Sequence, residues 1–254
     1  MTVEAAPKPN WFARIANPSQ FLGWSRRLNW PLAVLTAILF AIGLYYAFLD
    51  SPPDYQMGET IRIMYIHVPN AWLSQFVYGV MFVSALGSLV WRHPMADVSM
   101  KAAAPLGAIF TGLALYTGSL WGRPTWGTFW EWDGRMTSTL VLFLIYLGLI
   151  ALWRAFDDQL RAGRIVAVFT LIGSINIPIV KFSVDWWNTL HQPASVLTME
   201  GPHMPGSILT PLLVMTLAFT VLFAALQIKS MQTEVRRRRL LTLQRQRATE
   251  ARSA

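Results

Sequence analysis

The chain has 254 residues, of which 54% are hydrophobic and only 13% are charged. Since soluble domains carry about 25% charged residues, this composition excludes an ordinary soluble domain and predicts a membrane protein. There is no cysteine, which excludes disulfides, thiolate metal sites and covalent attachment of a cofactor through cysteine.

Six apolar runs are long enough, or nearly so, to cross a bilayer as helices, which takes about 20 residues each. They cover residues 30–49, 72–91, 102–120, 137–153, 165–182 and 207–228. The runs are continuous and do not alternate between apolar and polar residues, which excludes a β-barrel. The sequence therefore predicts an all-α polytopic membrane protein with six transmembrane helices. In the fifth run, Pro178 and the nearby Asn176 predict a kink.

The basic residues fall mainly on one side of these spans. The side that holds both termini has 17 Lys and Arg residues, and the other side has four. Because such residues are retained in the cytoplasm, we expect both termini there, in the inner membrane of a bacterium. The net charge of +8 thus reflects topology and does not indicate a nucleic-acid partner. The expected periplasmic segments are residues 50–70, 121–136 and 183–206.

Three regions are predicted from this pattern. Residues 1–29 form a cytoplasmic arm, with an amphipathic helix over 11–30 in the membrane interface. Residues 30–228 form the six-helix membrane domain with its functional loops outside. Residues 229–254 form a basic cytoplasmic tail, whose arginines 236–239 either bind anionic lipid headgroups or stand on a solvated helix.

The segment 121–133, with the sequence WGRPTWGTFWEWD, contains four tryptophans: Trp121, Trp126, Trp130 and Trp132. Two more, Trp186 and Trp187, lie in the next outer segment. An aromatic belt at the membrane interface explains one or two tryptophans per span end. The higher density favours a platform for a large, flat, mostly apolar ligand, built on a shaped loop or a short surface helix. Trp126 and Trp130 would share a face if a helical turn joined them.

Two histidines lie on the same predicted side as these tryptophans. His67 precedes the second span, in the sequence IHVP, and His191 lies between the fifth and sixth spans, in LHQ. Imidazole is a common metal ligand and binds iron from either face of a planar macrocycle. The alternative is that each is a hydrogen-bonded loop residue. His203 is a weaker outer candidate, and His93 is on the inner side and is expected to be structural.

Charged residues flank the tryptophans. Arg123 and Arg135 are suited to bidentate contact with carboxylates of a ligand, or they pair with Glu131 or Asp133. Asp133 orients either an indole N–H or the backbone of its own turn. Lys181, at the outer end of the fifth span, is expected to extend its ammonium group to the interface.

No nucleotide-binding motif of the Walker type, zinc-protease motif or nucleophile elbow occurs in the chain. The chain is therefore not expected to hydrolyse a nucleotide itself, and no catalytic residue is identified.

The stretch 126–133, WGTFWEWD, is similar to the WGxxWxWD signature of the heme-handling membrane proteins of cytochrome c maturation. With six spans and the two outer histidines, the chain resembles the protein C branch of that family, also called heme exporter protein C. Larger branches have more spans and further histidines within the membrane. The resemblance covers residues 20–230.

The resemblance implies a site and a function. Heme b would be held non-covalently against the tryptophans, with His67 and His191 as axial ligands of the iron. It would be delivered to a heme chaperone, protein E, in a heme lyase-like transfer. The implied complex also contains an ATP-hydrolysing subunit, a second membrane subunit and a small one-span subunit. The alternative is a permease subunit of an ATP-driven exporter, with its substrate passing between the spans.

Overall fold

The computed structural model describes residues 16–187, 189–191, 201–202 and 204–253, and this part of the chain is helical with no strand. Six of its helical stretches are long and apolar enough to cross a membrane, so the prediction of an all-α polytopic membrane protein is confirmed. The α-helices described are α1 (Pro18–Ser25), α2 (Asn29–Tyr45), α3 (Met64–Trp91), α4 (Pro94–Trp126), α5 (Gly134–Ala155), α6 (Gln159–Gly173), α7 (Asn176–Trp186) and α8 (Gly206–Ser253).

The helices extend beyond the apolar runs, because a run counts only the hydrocarbon-spanning part of a helix. α3 begins at Met64 rather than at residue 72, so His67 lies in its first turn and not in front of it. α4 continues through Trp126 and ends at Gly127, whose positive φ of 83° a glycine adopts at low cost.

Both ends of the predicted outer segment, residues 121–136, are helical. Its first six residues are the last turns of α4, and α5 begins at Gly134. Only residues 127–133 connect the two helices. Trp126 and Trp130 do not share a helical turn, because α4 ends between them.

The fifth span is divided into α6 and α7 by a break at Ser174 and Ile175. Pro178 stands in the first turn of α7, where its missing N–H costs nothing. Asn176 donates from its side-chain amide to the carbonyl of Ser138 on α5, at 2.9 Å. The predicted kink is thus present, just before Asn176. α6 packs on α3 and α5, and α7 packs chiefly on α5.

Two buried tyrosines tie the centre of the bundle together. The Tyr78 hydroxyl on α3 donates to the carbonyl of Thr170 on α6 at 3.0 Å, and Tyr146 on α5 donates to that of Ser74 on α3 at 2.8 Å. Their rings meet edge to face, with centroids 5.4 Å apart. A hydroxyl in the bilayer has no water partner, so these bonds fix how α3, α5 and α6 are placed.

At the end of the bundle where α1 lies, α8 packs against α1 and the start of α2. The fully buried Gln232 donates to Ser25 and to Asn29, and Phe21 packs in a small core with Val98 and Val235. The described part of the predicted interfacial helix includes α1, which packs partly against the bundle. Residues 1–15 lie outside the described residues.

A substitution at Gly107 of α4 tests the packing around Tyr146. A Cβ atom at Gly107 would lie 2.1 Å from the Tyr146 ring, which is fully buried. We expect Gly107→Ala to lower stability by about 1–3 kcal/mol through overpacking, measured by thermal unfolding in detergent. The control is Gly79→Ala on α3, where a Cβ would meet nothing within 4 Å. Equal stability of the two variants would contradict this account of the core.

Candidate functional site

One end of the bundle contains a cavity of about 300 Å³ between α3, α4, α5 and α7. His67 and His191 both line it, although they are far apart in sequence. The structure thus brings together the two histidines that the sequence singled out. His203 lies outside the described residues, and His93 precedes α4 at the other end of that helix.

His67 is held by the backbone and a side chain of α4. Its Nδ1 lies 3.0 Å from the carbonyl oxygen of Ala114 and 3.2 Å from the Thr117 hydroxyl. That hydroxyl donates its own proton to the carbonyl of Leu113, at 2.6 Å. Both neighbours of Nδ1 are therefore acceptors, and Nδ1 carries the proton. The lone pair is left on Nε2, where a metal can bind.

His191 is held by a carboxylate. Its Nδ1 lies 2.7 Å from Oδ2 of Asp133, and the Thr189 hydroxyl donates to the same oxygen. The backbone N–H of His191 donates to the hydroxyl oxygen of Thr189, at 3.1 Å. With Nδ1 protonated toward the carboxylate, Nε2 again carries the lone pair. A carboxylate behind an imidazole is the usual support of a metal-ligating histidine.

Asp133 uses its second carboxylate oxygen to cap α5. Oδ1 accepts from the backbone N–H of Met136 at 2.7 Å, in the standard N-cap geometry. Of the two roles left open by the sequence, the contact with its own turn is the one observed. The sequence did not predict the contact with His191.

Burial and hydrogen bonding set the charge states of this pair. Burial lowers the pKa of His191, although the bond to Asp133 opposes the shift. Burial raises the pKa of Asp133, but the bonds from Thr189, Met136 and His191 outweigh it and leave that pKa below its ordinary value. His191 is therefore neutral and Asp133 is ionised at pH 7, which is the combination that metal ligation requires.

The four tryptophans of 121–133 do not form one flat platform. The Trp121 ring packs edge-on against His67, with centroids 5.8 Å apart, and Trp126 packs against His191 at 4.7 Å. Trp130 and Trp132 form a separate edge-to-face pair, and Trp132 is 73% exposed. Two of the tryptophans thus support the histidines. The indole N–H groups of Trp121 and Trp130 are buried without a partner among the described residues.

The two arginines take different positions. Arg123 donates to the carbonyl of Gly127 and lies over the Phe129 ring, 5.4 Å from its centroid. Arg135 lines the cavity and donates to the Ser183 hydroxyl and the Lys181 carbonyl, both at 3.3 Å. Their hydrogen bonds do not go to Glu131 or Asp133 in the part of the chain described.

Sequence reasoning missed several residues of the site. The one sequence feature that could have indicated Thr189 is its position two residues before His191. Thr117 and Gly118 have no such feature, because they contact His67 only once α3 and α4 pack together. Lys181, which the sequence places at the membrane interface, also lines the cavity, with Asp185 one turn further along α7.

The heme exporter protein C family model matches residues 11–246 of the chain. The chain belongs to this family.

Relatives in the family cover most of the chain. A heme exporter protein C of Bradyrhizobium diazoefficiens is 62% identical over 92% of this chain and 89% of its own length. Heme exporter protein C of Escherichia coli K12 is 49% identical, over 68% of this chain and 69% of its own. A ccmC-like mitochondrial protein of Marchantia polymorpha, whose name refers to cytochrome c biosynthesis, is 41% identical over 82% of this chain and 88% of its own length.

Two substitutions test the role of Asp133 as the N-cap of α5. Asn is as good an N-cap as Asp, so Asp133→Asn retains the cap on α5, whereas Asp133→Ala loses it at a cost of about 0.5–2 kcal/mol. We therefore expect Asp133→Ala to be the less stable variant in thermal unfolding of the heme-free protein. If Asp133→Ala unfolded at the same temperature as Asp133→Asn, the cap would contribute nothing to stability.

Proposed function

We propose that this protein binds heme in the cavity between α3 and α7, with Nε2 of His67 and Nε2 of His191 as axial ligands. It handles the heme for cytochrome c biogenesis. The observation that carries the proposal is that both histidines of one cavity have Nδ1 bonded to acceptors. Each therefore keeps its lone pair on Nε2, and both side chains line the same cavity.

Two imidazoles are enough to fill both axial positions of a heme iron. The porphyrin supplies four nitrogen ligands, and the axial positions are filled by side chains such as histidine. In the described residues, no group of three or more His, Cys, Asp or Glu side chains is placed to hold a bare metal ion. This donor set favours a metal that arrives with its own ligands.

Basic side chains and hydrogen-bond donors lie near the two histidines. Arg135 and Lys181 line it and would pair with the two carboxylates of heme. The unpartnered indole N–H groups of Trp121 and Trp130 offer further donors at the same end of the bundle. A chain without cysteine cannot attach heme through thioether bonds, and we propose that it binds heme b without a covalent link.

We place the site at the periplasmic face of the bacterial inner membrane, and the excess of basic residues on the opposite side supports this orientation. Heme would pass from here to the heme chaperone, protein E. The relatives' names, heme exporter protein C, support a place in a multi-subunit heme exporter complex. We propose that this complex contains an ATP-hydrolysing subunit, a second membrane subunit and a one-span subunit.

Replacement of either histidine tests the ligand assignment. We expect His67→Ala and His191→Ala each to lose the low-spin absorption spectrum of heme bound by two histidines, since each removes one axial ligand. The control is His93→Ala, at the start of α4, which should retain that spectrum. The assignment is wrong if both cavity variants, purified with heme, keep the wild-type spectrum.

Delivery is tested separately with the heme-loaded protein and the chaperone. We expect the chaperone to acquire heme in a mixture that contains neither the ATP-hydrolysing subunit nor ATP, because the site is already at the delivery face. Covalent heme on the chaperone, after gel electrophoresis, is the readout. A strict requirement for the ATP-hydrolysing subunit would instead support the permease alternative.

A further inference from the structure

We infer that Gly118, together with Thr117, is a positioning residue for His67 that selects Nε2 as its iron-binding atom. The inference rests on the proposed function, in which Nε2 of His67 binds heme iron. Neither residue belongs to the tryptophan-rich segment, and neither is expected to touch the iron.

The His67 ring lies on one face of α4. Its contacts on that helix are Ala114, Thr117, Gly118 and Trp121. These positions are separated by three, one and three residues, which is the spacing of side chains along a single helical face. We call this face the His67 seat. Its polar groups contact Nδ1, and Trp121 packs edge-on against the ring.

Gly118 provides the space for the ring. A Cβ atom at this position would lie 2.9 Å from Cε1 of His67 and 3.3 Å from Nδ1. Any residue other than glycine would push the imidazole away from α4. The 3.0 Å hydrogen bond between Nδ1 and the Ala114 carbonyl would then lengthen or break. The helix would not have to move, because the ring is the end of a side chain.

Thr117 reinforces the choice of nitrogen. Its only hydroxyl proton is used in the 2.6 Å bond to Leu113, so toward His67 it can only accept. Two acceptors facing Nδ1 favour the tautomer with the proton there. A valine has the same shape and lacks the acceptor, so Thr117→Val would leave the Ala114 carbonyl to hold the proton alone.

Each substitution has a matched control on the same helix. Gly112→Ala introduces a Cβ at 3.4 Å from Phe143, an ordinary contact. Thr111→Val removes a hydroxyl that also bonds to the carbonyl four residues earlier, at 2.7 Å. Loss of that local bond is therefore common to both valine variants, and only Thr117→Val alters the surroundings of His67.

The test combines two readouts on the full-length protein in detergent. In heme-free protein labelled with ¹⁵N-histidine, NMR shifts should give His67 as the Nδ1–H tautomer in the wild type and both controls, and as a mixture of tautomers in Gly118→Ala. With heme added, Gly118→Ala should bind about 10–100-fold more weakly and show a five-coordinate, high-spin fraction. Thr117→Val should show a smaller change in the same direction, and Thr117→Ser should restore the wild-type values.

Wild-type tautomer and wild-type spectrum in Gly118→Ala would overturn the inference, as would equal behaviour of Thr117→Val and Thr111→Val. If Gly118→Ala fails to fold, the comparison of Thr117→Val with Thr111→Val decides whether the His67 seat selects the nitrogen. Failure of the proposed function can be told apart from failure of this inference. If His67 does not bind the iron, His67→Ala keeps the two-histidine spectrum. The tautomer of His67 in heme-free protein still shows whether the His67 seat selects the nitrogen.

Discussion

The geometry of the candidate site depends on one buried carboxylate. Asp133 is 8% exposed, and both of its oxygens are used. Oδ1 caps α5, and Oδ2 receives hydrogen bonds from Thr189 and His191. The residue that starts α5 thereby fixes the chain that follows α7. Without it, the described contacts that hold His191 would be its bond to Thr189 and its packing against Trp126.

The two histidines are held in chemically different ways. His67 stands in the first turn of a helix and donates to a neutral carbonyl, whereas His191 donates to a carboxylate. A carboxylate raises the basicity of the imidazole that it contacts. In the proposed complex His191 is therefore the stronger donor to iron, while His67 is the ligand whose position the helices fix most rigidly. Trp121 and Trp126 pack against one ring each and connect both to the end of α4.

Local sequence features predicted the spans, the break before Pro178 and the two histidines that line one cavity, because hydropathy, proline and residue type act over short distances. They did not predict that α4 continues to Trp126, since glycine and proline there resemble a loop, whereas Pro124 falls within the last turn. The contact of Asp133 with His191 joins residues 58 positions apart. The seat formed by Thr117 and Gly118 depends on how α3 packs against α4. Such contacts follow from tertiary packing, which no local pattern encodes.

The most direct measurement is an experimental structure of the protein with heme bound. We expect iron bonded to Nε2 of His67 and to Nε2 of His191, with His191 still donating from Nδ1 to Asp133. A heme lying against the exposed Trp132 surface, with either imidazole unbound or bonded through Nδ1, would contradict it.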